Sequence, residues 1–222
     1  MHFLRRVGRL AYLLKTQRAR IALTTKQEAA AARPSRRPAR EALLEAAARR
    51  FYAHGLTGTG IDSITAEAGV AKKSLYNNFA SKAELVTAYL YARHEEWLRL
   101  YRSRLEMAAT PKDRVLAVFD AYADHAGLAY EHGFRGCGLL NAAAELPAGD
   151  PGRAVVRRHK EEVEALLAEH LAELPGPAGH TAPLARHLAF LLEGSMVRAG
   201  LEGDDRCVVE ARGIAVSLLD SL

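Results

Sequence analysis

A 24-residue segment from Thr59 to Lys82, TGIDSITAEAGVAKKSLYNNFASK, most strongly constrains the fold of this chain. Apolar residues recur at helical spacing at Ile61, Ile64 and Ala68, which predicts a short helix with one apolar face. Gly69 follows directly and can adopt the left-handed backbone that ends a helix without a side-chain clash. The segment therefore begins with a short helix that stops at a glycine.

A second short helix starts almost at once, with Val70 and Leu75 as its apolar residues. Because the connection is so short, the two helices must cross steeply, which is the helix-turn-helix geometry. In that geometry the second helix enters the major groove of DNA and the first braces it over the backbone. Polar side chains of this segment suit phosphate and base-edge contacts. The candidate DNA-binding residues are Thr59, Lys72, Lys73, Ser74, Tyr76, Asn77 and Lys82.

Ser81 and Glu84 have the spacing of a capping box, which predicts the start of a third helix. Lys82 would lie in its first turn, where the helix dipole and backbone N–H groups already favour a phosphate. The alternative interpretation is structural. Two short helices joined at a glycine occur in many helical proteins, and adjacent lysines usually mark a solvated face.

The run from Arg40 to Leu85 resembles the DNA-binding domain of the tetracycline-repressor (TetR) family. Many spaced positions match in order over about a fifth of the chain. The matching residues are Ala47, Phe51, Gly55, Thr59, Ile61, Ile64, Ala68, Gly69, Val70, Leu75, Tyr76, Phe79, Ser81, Lys82, Glu84 and Leu85.

The resemblance implies a homodimeric transcriptional repressor whose remaining helices bind a small molecule and pair the subunits. It also implies a two-fold, palindromic operator. Lys73 and Gly60 depart from the family, which often has a glycine and a hydroxyl residue at these two places. We therefore expect the detailed phosphate and base contacts to differ from those of its relatives.

Composition favours an all-α protein of one small and one medium domain. Hydrophobic residues make up 49% of the 222 positions, alanine and leucine are abundant, and apolar residues recur at three and four rather than alternating. Two distant cysteines, Cys137 and Cys207, argue against a disulfide framework or a zinc finger and favour a reducing cytoplasm. No apolar run reaches the roughly 20 residues of a membrane-spanning helix.

The net charge of +5 hides an uneven distribution. Residues 1–40 carry eleven Lys or Arg and one Glu, whereas the rest of the chain carries 20 Lys or Arg and 25 Asp or Glu. We divide the chain into a flexible basic arm (residues 1–36), a helix-turn-helix domain (37–85) and a helical effector-binding and dimerisation domain (86–222). The high pI therefore describes the arm more than the domains.

The basic arm has several possible roles. Residues 2–23 could form a basic amphipathic helix, and Pro34 and Pro38 separate it from the domain by a flexible basic linker. Arg9 and Lys15 interrupt the apolar stretch that a secretory signal needs. One hypothesis is that the linker follows the DNA backbone or enters a minor groove. The alternatives are a disordered segment, a misassigned start site, or a membrane-surface adaptor.

The body is predicted to contain five helices after the helix that starts at the Ser81 cap. That helix itself runs from Ser81 towards Met107, long enough to connect the groove with the body. The next helices are predicted over residues 111–131, 137–147, 150–173, 182–199 and 204–221. In the helix over 150–173, the run from Arg157 to Glu164, with His159 and Lys160, has the charge pattern of a solvated face. The last two are more apolar than an exposed helix pair needs, which indicates a partner subunit.

The segment GFRGCGLLNAAAELPAGDP contains the second informative pattern. Cys137, Asn141 and Glu145 are four residues apart, so they would share one face of a short helix and form part of a pocket wall. The alternatives are that Cys137 packs as a small hydrophobe, or senses redox state, and that the two polar residues make structural hydrogen bonds. The candidate pocket residues are Trp97, Tyr101, Phe119, Tyr122, Cys137, Asn141, Glu145, Phe190 and Met196.

We expect a regulator that responds to a drug-sized or metabolite effector and that needs no cofactor. No nucleophile–base pair, glycine-rich phosphate loop or metal-ligand spacing favours an enzyme, and the nine histidines form no metal pattern. The alternative function is an all-α small-molecule-binding protein that does not regulate transcription.

Overall fold

The computed structural model describes residues 39–127, 133–175 and 180–222, and in these ranges the chain forms nine helices and no strand. This confirms the all-α prediction. The basic arm, residues 1–36, lies outside the described residues. The helices are α1 (Ala39–His54), α2 (Ile61–Ala68), α3 (Lys72–Asn78), α4 (Lys82–Leu105), α5 (Pro111–Ala126), α6 (Gly138–Glu145), α7 (Pro151–Leu171), α8 (Thr181–Glu202) and α9 (Arg206–Asp220).

The predicted helix-turn-helix is present as α2 and α3, which both pack on α1. Gly69 ends α2 with a left-handed backbone, φ 65° and ψ 32°, as the sequence predicts. Ile64, Leu75 and Phe79 are buried against α1 and hold α3 in a fixed orientation. Glu67 of α2 also pairs with two arginines of α1, which braces the first helix of the motif.

The helix α4, which was predicted from the Ser81 cap, starts where the sequence predicts. The hydroxyl of Ser81 accepts a hydrogen bond from the backbone N–H of Glu84 at 3.2 Å. The second half of the predicted box differs, because the Glu84 carboxylate accepts from the N–H of Ala80 rather than from that of Ser81. Residues 39–222 form one compact unit, and α4 continues without interruption through the boundary that we placed after residue 85.

The body is a bundle in which α4 packs on α5 and α7, and α8 packs on α7 and α9. Thr110 caps α5 in a reciprocal capping box with Asp113, as the Thr-Pro start suggests. The helix α5 ends at Ala126, earlier than predicted, and residues 128–131 of its predicted extent lie outside the described residues. The described residues contain no helix that is both long and apolar enough to cross a membrane.

One close backbone approach joins the body's last helices to the loop before α6. Gly200 of α8 lies against Gly136, and a methyl group added at Gly200 would lie 2.5 Å from the nitrogen of Gly136 and 2.7 Å from the carbonyl carbon of Arg135. These neighbours are backbone atoms, so they cannot turn aside as a flexible side chain would. The position therefore requires a residue without a side chain.

We expect Gly200→Ala to lower the free energy of unfolding by about 2 kcal/mol, because the added methyl group forces the loop and α8 apart. Urea denaturation monitored by circular dichroism measures this loss. Gly60→Ser is the matched control, since a side chain at Gly60 meets nothing within 4 Å and a serine there can cap α2. Equal stability of Gly200→Ala and the wild type would show that the close approach is unimportant.

Candidate nucleic-acid interface

The exposed side of α3 presents a continuous polar surface. Lys72, Lys73, Tyr76 and Asn77 are exposed there, whereas Leu75 is fully buried on the opposite side. Few large hydrophobic side chains are exposed in the described residues, and Tyr76 is one of them, with 50% of its surface exposed. An aromatic ring between two lysines and an amide is suited to phosphate and base-edge contacts in a groove.

Ser74, the fifth predicted contact on α3, is half-buried, and its backbone carbonyl accepts a hydrogen bond from the side chain of Asn78. Lys72 pairs with Asp62 of α2 at 2.8 Å, and both side chains are exposed. This pair raises the pKa of Lys72 through its hydrogen bond and charge interaction with Asp62. An exposed pair of this kind is weak, so a phosphate can compete for the lysine.

Arg40, in the first turn of α1, contacts the residue that follows α3. Its guanidinium lies 5.1 Å from the centroid of the Phe79 ring. The residues that precede it in sequence are the basic linker, which lies outside the described part of the chain.

Two predicted DNA contacts make structural hydrogen bonds. The side chain of Thr59 is 2% exposed, and its hydroxyl donates to the carbonyl oxygens of Gly55 and Arg50. Burial removes it from any groove, and its hydrogen bonds fix the turn before α2. Lys82 donates its Nζ to the carbonyl oxygen of Leu56 at 2.6 Å and so closes the end of the α1–α2 loop; its contact with a phosphate stays a prediction.

Glu145 connects the body to the DNA-binding domain. Its Oε1 and Oε2 accept hydrogen bonds from the backbone N–H groups of Leu56 and Thr57 at 2.8 and 2.7 Å. Partial burial raises the pKa of this carboxyl, but the hydrogen bonds from Thr57 and Leu56 outweigh that effect and hold the pKa below its usual value. Glu145 lines an open surface cavity together with Thr57 and Lys82 rather than a pocket inside the body, and its contact with a ligand stays a prediction. Its position at the end of α6 directs it towards the α1–α2 loop.

Arg135 and Tyr52 form a second connection at the same place. The Arg135 side chain donates to the backbone carbonyl oxygens of Tyr52 and Ala53, at the end of α1. The Tyr52 hydroxyl accepts from the backbone N–H of Arg135 at 2.6 Å and donates to the carbonyl oxygen of Gly136 at 3.2 Å. We call Glu145, Arg135 and Tyr52 the interdomain clamp. Sequence analysis missed two of its three members.

The remaining predicted members of the α6 face also separate. Cys137 is buried, but it is the residue before α6 and so does not share a helical face with the other two. Asn141 is exposed, and its side-chain amide donates to the carbonyl oxygen of Arg135 at 2.8 Å. Asn141 thus makes a structural hydrogen bond that supports the interdomain clamp, and a ligand contact of Cys137 or Asn141 stays a prediction.

An aromatic cluster lies inside the body, where most of the other predicted pocket residues meet. Trp97 stacks on Tyr101 with ring centroids 5.4 Å apart and lies 5.2 Å from the Tyr122 ring. The Tyr101 hydroxyl is 2.6 Å from Nε2 of His170, and the Tyr122 hydroxyl is 3.1 Å from Nε2 of His159. Phe119 and Met196 are also fully buried in the body.

The charged run in α7 is only partly a solvated face. His159 is buried, and Lys160 extends into the body, where its Nζ lies 5.4 Å from the centroid of the Tyr122 ring. Their burial corrects our prediction. The spacing of Val156, His159 and Val163 places His159 on the apolar side of α7, and this signal was available in the sequence.

Phe190 lies outside the core, because 65% of its surface is exposed, and it lines two open surface cavities along α8. It belongs to an apolar surface on α8 and α9, and this surface carries five of the nine exposed large hydrophobic side chains of the described residues. These five are Phe190, Val197, Leu201, Val209 and Ile214. We call this set the apolar surface. A concentration of exposed apolar groups on two adjacent helices is typical of a protein interface.

Within the described residues no cluster of His, Cys, Asp and Glu could hold a metal ion.

The family model for "Bacterial regulatory proteins, tetR family" matches residues 43–89, which span most of α1 through the first part of α4. Among solved structures, a TetR-family transcriptional regulator from Streptomyces coelicolor is 34% identical, with a TM-score of 0.72. The alignment covers 82% of this chain and 94% of that one. A putative regulator of the same family from Streptomyces avermitilis is 29% identical, with a TM-score of 0.68 over 82% of this chain and 98% of that one.

Curated relatives match over shorter stretches. The transcriptional repressor KstR2 of Mycobacterium tuberculosis is 37% identical over 79 residues, which are 36% of this chain and 40% of the repressor. The transcriptional activator FasR of Mycolicibacterium smegmatis is 33% identical over 98 residues, 44% of this chain and 43% of the activator. The matched part of this chain thus spans less than half of either protein.

Proposed function

This chain belongs to the TetR family of bacterial transcriptional regulators, and we propose that it is a repressor that a small-molecule ligand releases from its operator. The observation that carries this proposal is the polar surface of α3, with Lys72, Lys73, Tyr76 and Asn77 exposed on a helix whose other side is buried. Such a surface on the second helix of a helix-turn-helix supports insertion into a major groove.

The apolar surface on α8 and α9 supports a homodimer as the DNA-binding species. Two copies of one surface can pair about a two-fold axis, and the pair of α3 helices would then match a two-fold operator. Phe190, Val197 and Leu201 recur along one side of α8 and would meet the partner subunit. Burial of this surface between subunits would remove its contact with water.

The interdomain clamp supports control of DNA binding by the body. Through Arg135 and Glu145 the loop before α6 and the end of α6 hold backbone groups of the DNA-binding domain. The same loop meets α8 at the close approach of Gly136 and Gly200. A ligand that favours a different position of α6 would shift the α1–α2 loop, and so the spacing of the two α3 helices.

We expect Glu145→Ala to lower the free energy of unfolding by about 2 kcal/mol, because two backbone N–H groups lose a charged acceptor. Thermal and urea denaturation measure the loss. Glu161→Ala is the control, since Glu161 forms an exposed pair with Arg157 that contributes little. If the two alanine variants are equally stable, Glu145 does not connect the domains.

A gel shift with DNA from beside the protein's own gene tests the proposed function. We expect a complex that survives an excess of unrelated DNA, because base contacts add to the sequence-independent attraction of the lysines. Equal competition by unrelated DNA, at every salt concentration tested, would favour the alternative of a small-molecule-binding protein that does not regulate transcription.

A further inference from the structure

Asp62 and Lys72 form an ion pair that joins the starts of the two helices of the helix-turn-helix. Asp62 lies in the first turn of α2, and Lys72 is the first residue of α3. The Nζ of Lys72 lies 2.8 Å from Oδ1 of Asp62, and both side chains are exposed. The polar surface of α3 is therefore bordered by a carboxylate that belongs to α2.

The other charged groups of α2 and α3 do not take part in this pair. The two helices contain one further acidic residue, Glu67, whose carboxylate accepts hydrogen bonds from two arginines of α1 at 2.5 and 2.6 Å. Lys73 is exposed and has no ion-pair partner among the residues that the structure describes. Of the two adjacent lysines, Lys72 thus has its charge balanced by a neighbouring carboxylate and Lys73 does not.

The two helices must approach DNA together, because their packing is fixed. Ile64 of α2 and Leu75 of α3 are fully buried, and both helices pack on α1. When α3 enters a major groove, the start of α2 therefore comes close to the DNA backbone, which the first helix of such a motif crosses. A carboxylate at that place would be repelled by the phosphates unless a cation stays beside it.

Lys72 can bond a base without leaving Asp62. An ammonium group has three N–H donors, and the carboxylate of Asp62 takes one of them. The other two are suited to an acceptor such as O6 or N7 of guanine, and the first residues of a reading helix are those that contact base edges. A phosphate that takes Lys72 instead leaves Asp62 unpaired beside the DNA, which offsets the attraction.

We infer that Asp62 is a specificity-determining residue, which holds Lys72 in a charge-neutral pair that reads one base of each half-site and adds no sequence-independent attraction for phosphate. A wrong base then leaves the donors of Lys72 without an acceptor. If the charge of Asp62 is removed, Lys72 can turn from a wrong base to a phosphate, and the wrong base costs less. The inference rests on the proposed function, in which α3 reads an operator.

Selection of bound sequences from random double-stranded DNA, with the wild type, Lys72→Met and Asp62→Asn, tests the reading of the base. We expect Lys72→Met to abolish the preference at one position of each half-site and to leave the other positions unchanged. A wrong base at that position in one half-site should weaken binding about tenfold in the wild type, and about threefold or less in Asp62→Asn. Full retention of the preference by Asp62→Asn, or no position that depends on Lys72, would overturn the inference.

The salt dependence of binding to a random-sequence duplex tests the neutrality of the pair and requires no operator. Each further cation that contacts a phosphate steepens the slope of log affinity against log salt by about 0.9. We therefore expect a dimer of Asp62→Asn to have a slope about two units steeper than that of the wild type. Equal slopes would show that Asp62 does not withhold Lys72 from phosphate, and would contradict the inference.

Glu161→Gln is the matched control for the loss of a negative charge. Glu161 forms an exposed pair with Arg157 on α7, so its substitution changes the net charge by the same amount outside the helix-turn-helix. We expect the salt slope and the base preferences of this variant to equal those of the wild type. A slope as steep as that of Asp62→Asn would mean that net charge alone is responsible, and the inference would fail.

A purely structural role of Asp62 predicts a different pattern. A negative charge in the first turn of a helix is stabilising, so Asp62→Asn should lower the melting temperature slightly in either case. Circular dichroism at the temperature of the binding experiments checks that the variant is folded, and a structural role alone would leave its base preferences unchanged. A wild type that enriches no sequence contradicts the proposed function, whereas preferences that Asp62→Asn leaves intact contradict only this inference.

Discussion

Tyr76→Ala should weaken binding to the operator by roughly 1000-fold. Tyr76 is half exposed on α3 beside Lys72, Lys73 and Asn77, and a dimer loses the same contact at both half-sites. At about 2 kcal/mol for each reading helix, the loss for the two is about 4 kcal/mol. Fluorescence anisotropy with labelled operator DNA measures it, and circular dichroism checks that the variant is folded.

Tyr91→Ala is the matched control for Tyr76→Ala. Tyr91 is similarly exposed, at 44%, but it lies on α4 and contacts Arg158 of the body. We expect its removal to leave operator affinity unchanged within a factor of about three. Equal losses in the two tyrosine variants would remove α3 from its role as the reading helix.

Lys73→Ala separates phosphate contacts from base contacts. Each phosphate contact contributes close to one unit to the slope of log affinity against log salt, so a dimer should lose about two units. Tyr76→Ala should leave that slope nearly unchanged, since tyrosine carries no charge at neutral pH. The pair of variants therefore distinguishes contacts with the DNA backbone from contacts with the bases.

Acidification from pH 7 to pH 5 should lower the free energy of unfolding by about 4 kcal/mol, the second large effect. Burial, with the charges of Lys160 and the ring of His94, lowers the pKa of His159 to about 2. Burial, with the charges of Arg93 and Lys160, lowers the pKa of His125 to about 4. An unfolded histidine titrates near 6.5, so below that pH the unfolded chain binds protons that the folded chain does not.

The direction of this effect follows from the depressed pKa values. The contribution of each histidine to stability is fully present above pH 6.5 and is lost as the pH falls towards the pKa in the folded state. Over two pH units each group accounts for about 2 kcal/mol. Urea denaturation at pH 7, 6 and 5 measures the sum.

His159→Gln should remove about half of this pH dependence, because a glutamine does not titrate. His187→Gln is the control for the substitution itself, since the ring of His187 is exposed on α8. Equal stability of the wild type at pH 7 and pH 5 would mean that the two buried rings take up protons within the fold.

Local sequence signals predicted the DNA-binding domain well. Gly69, Ser81 and the apolar spacing of α2 act over a few residues, so the sequence contains their complete physical cause. The helix-turn-helix, the start of α4 and the helices of the body were therefore accessible without coordinates.

Contacts between distant residues were not accessible in this way. Arg135 and Tyr52 are 83 residues apart, and no spacing in the sequence indicates that their backbones meet. The contact of Glu145 with the α1–α2 loop was missed because helical periodicity gives the face of a residue but not the element that the face meets. Thr59 was assigned to DNA because a threonine that closes a turn and one that binds phosphate have the same local sequence.

Two further differences from the predictions arose on helices whose surfaces do not divide cleanly into an apolar and a polar side. Lys160 lies in a run of basic residues followed by acidic ones, and only the apolar spacing around His159 indicates that part of this run is inside. Phe190 lies on a helix with apolar residues around most of its circumference, so periodicity did not distinguish the core from a subunit interface.

Selection of bound sequences from random double-stranded DNA tests the central claim most directly. We expect the wild-type protein to enrich an inverted repeat, with each half-site read by one α3 helix, and Tyr76→Ala to enrich none under the same conditions. Failure of the wild type to enrich any sequence, or enrichment of the same repeat by Tyr76→Ala, would contradict the proposal that α3 reads an operator.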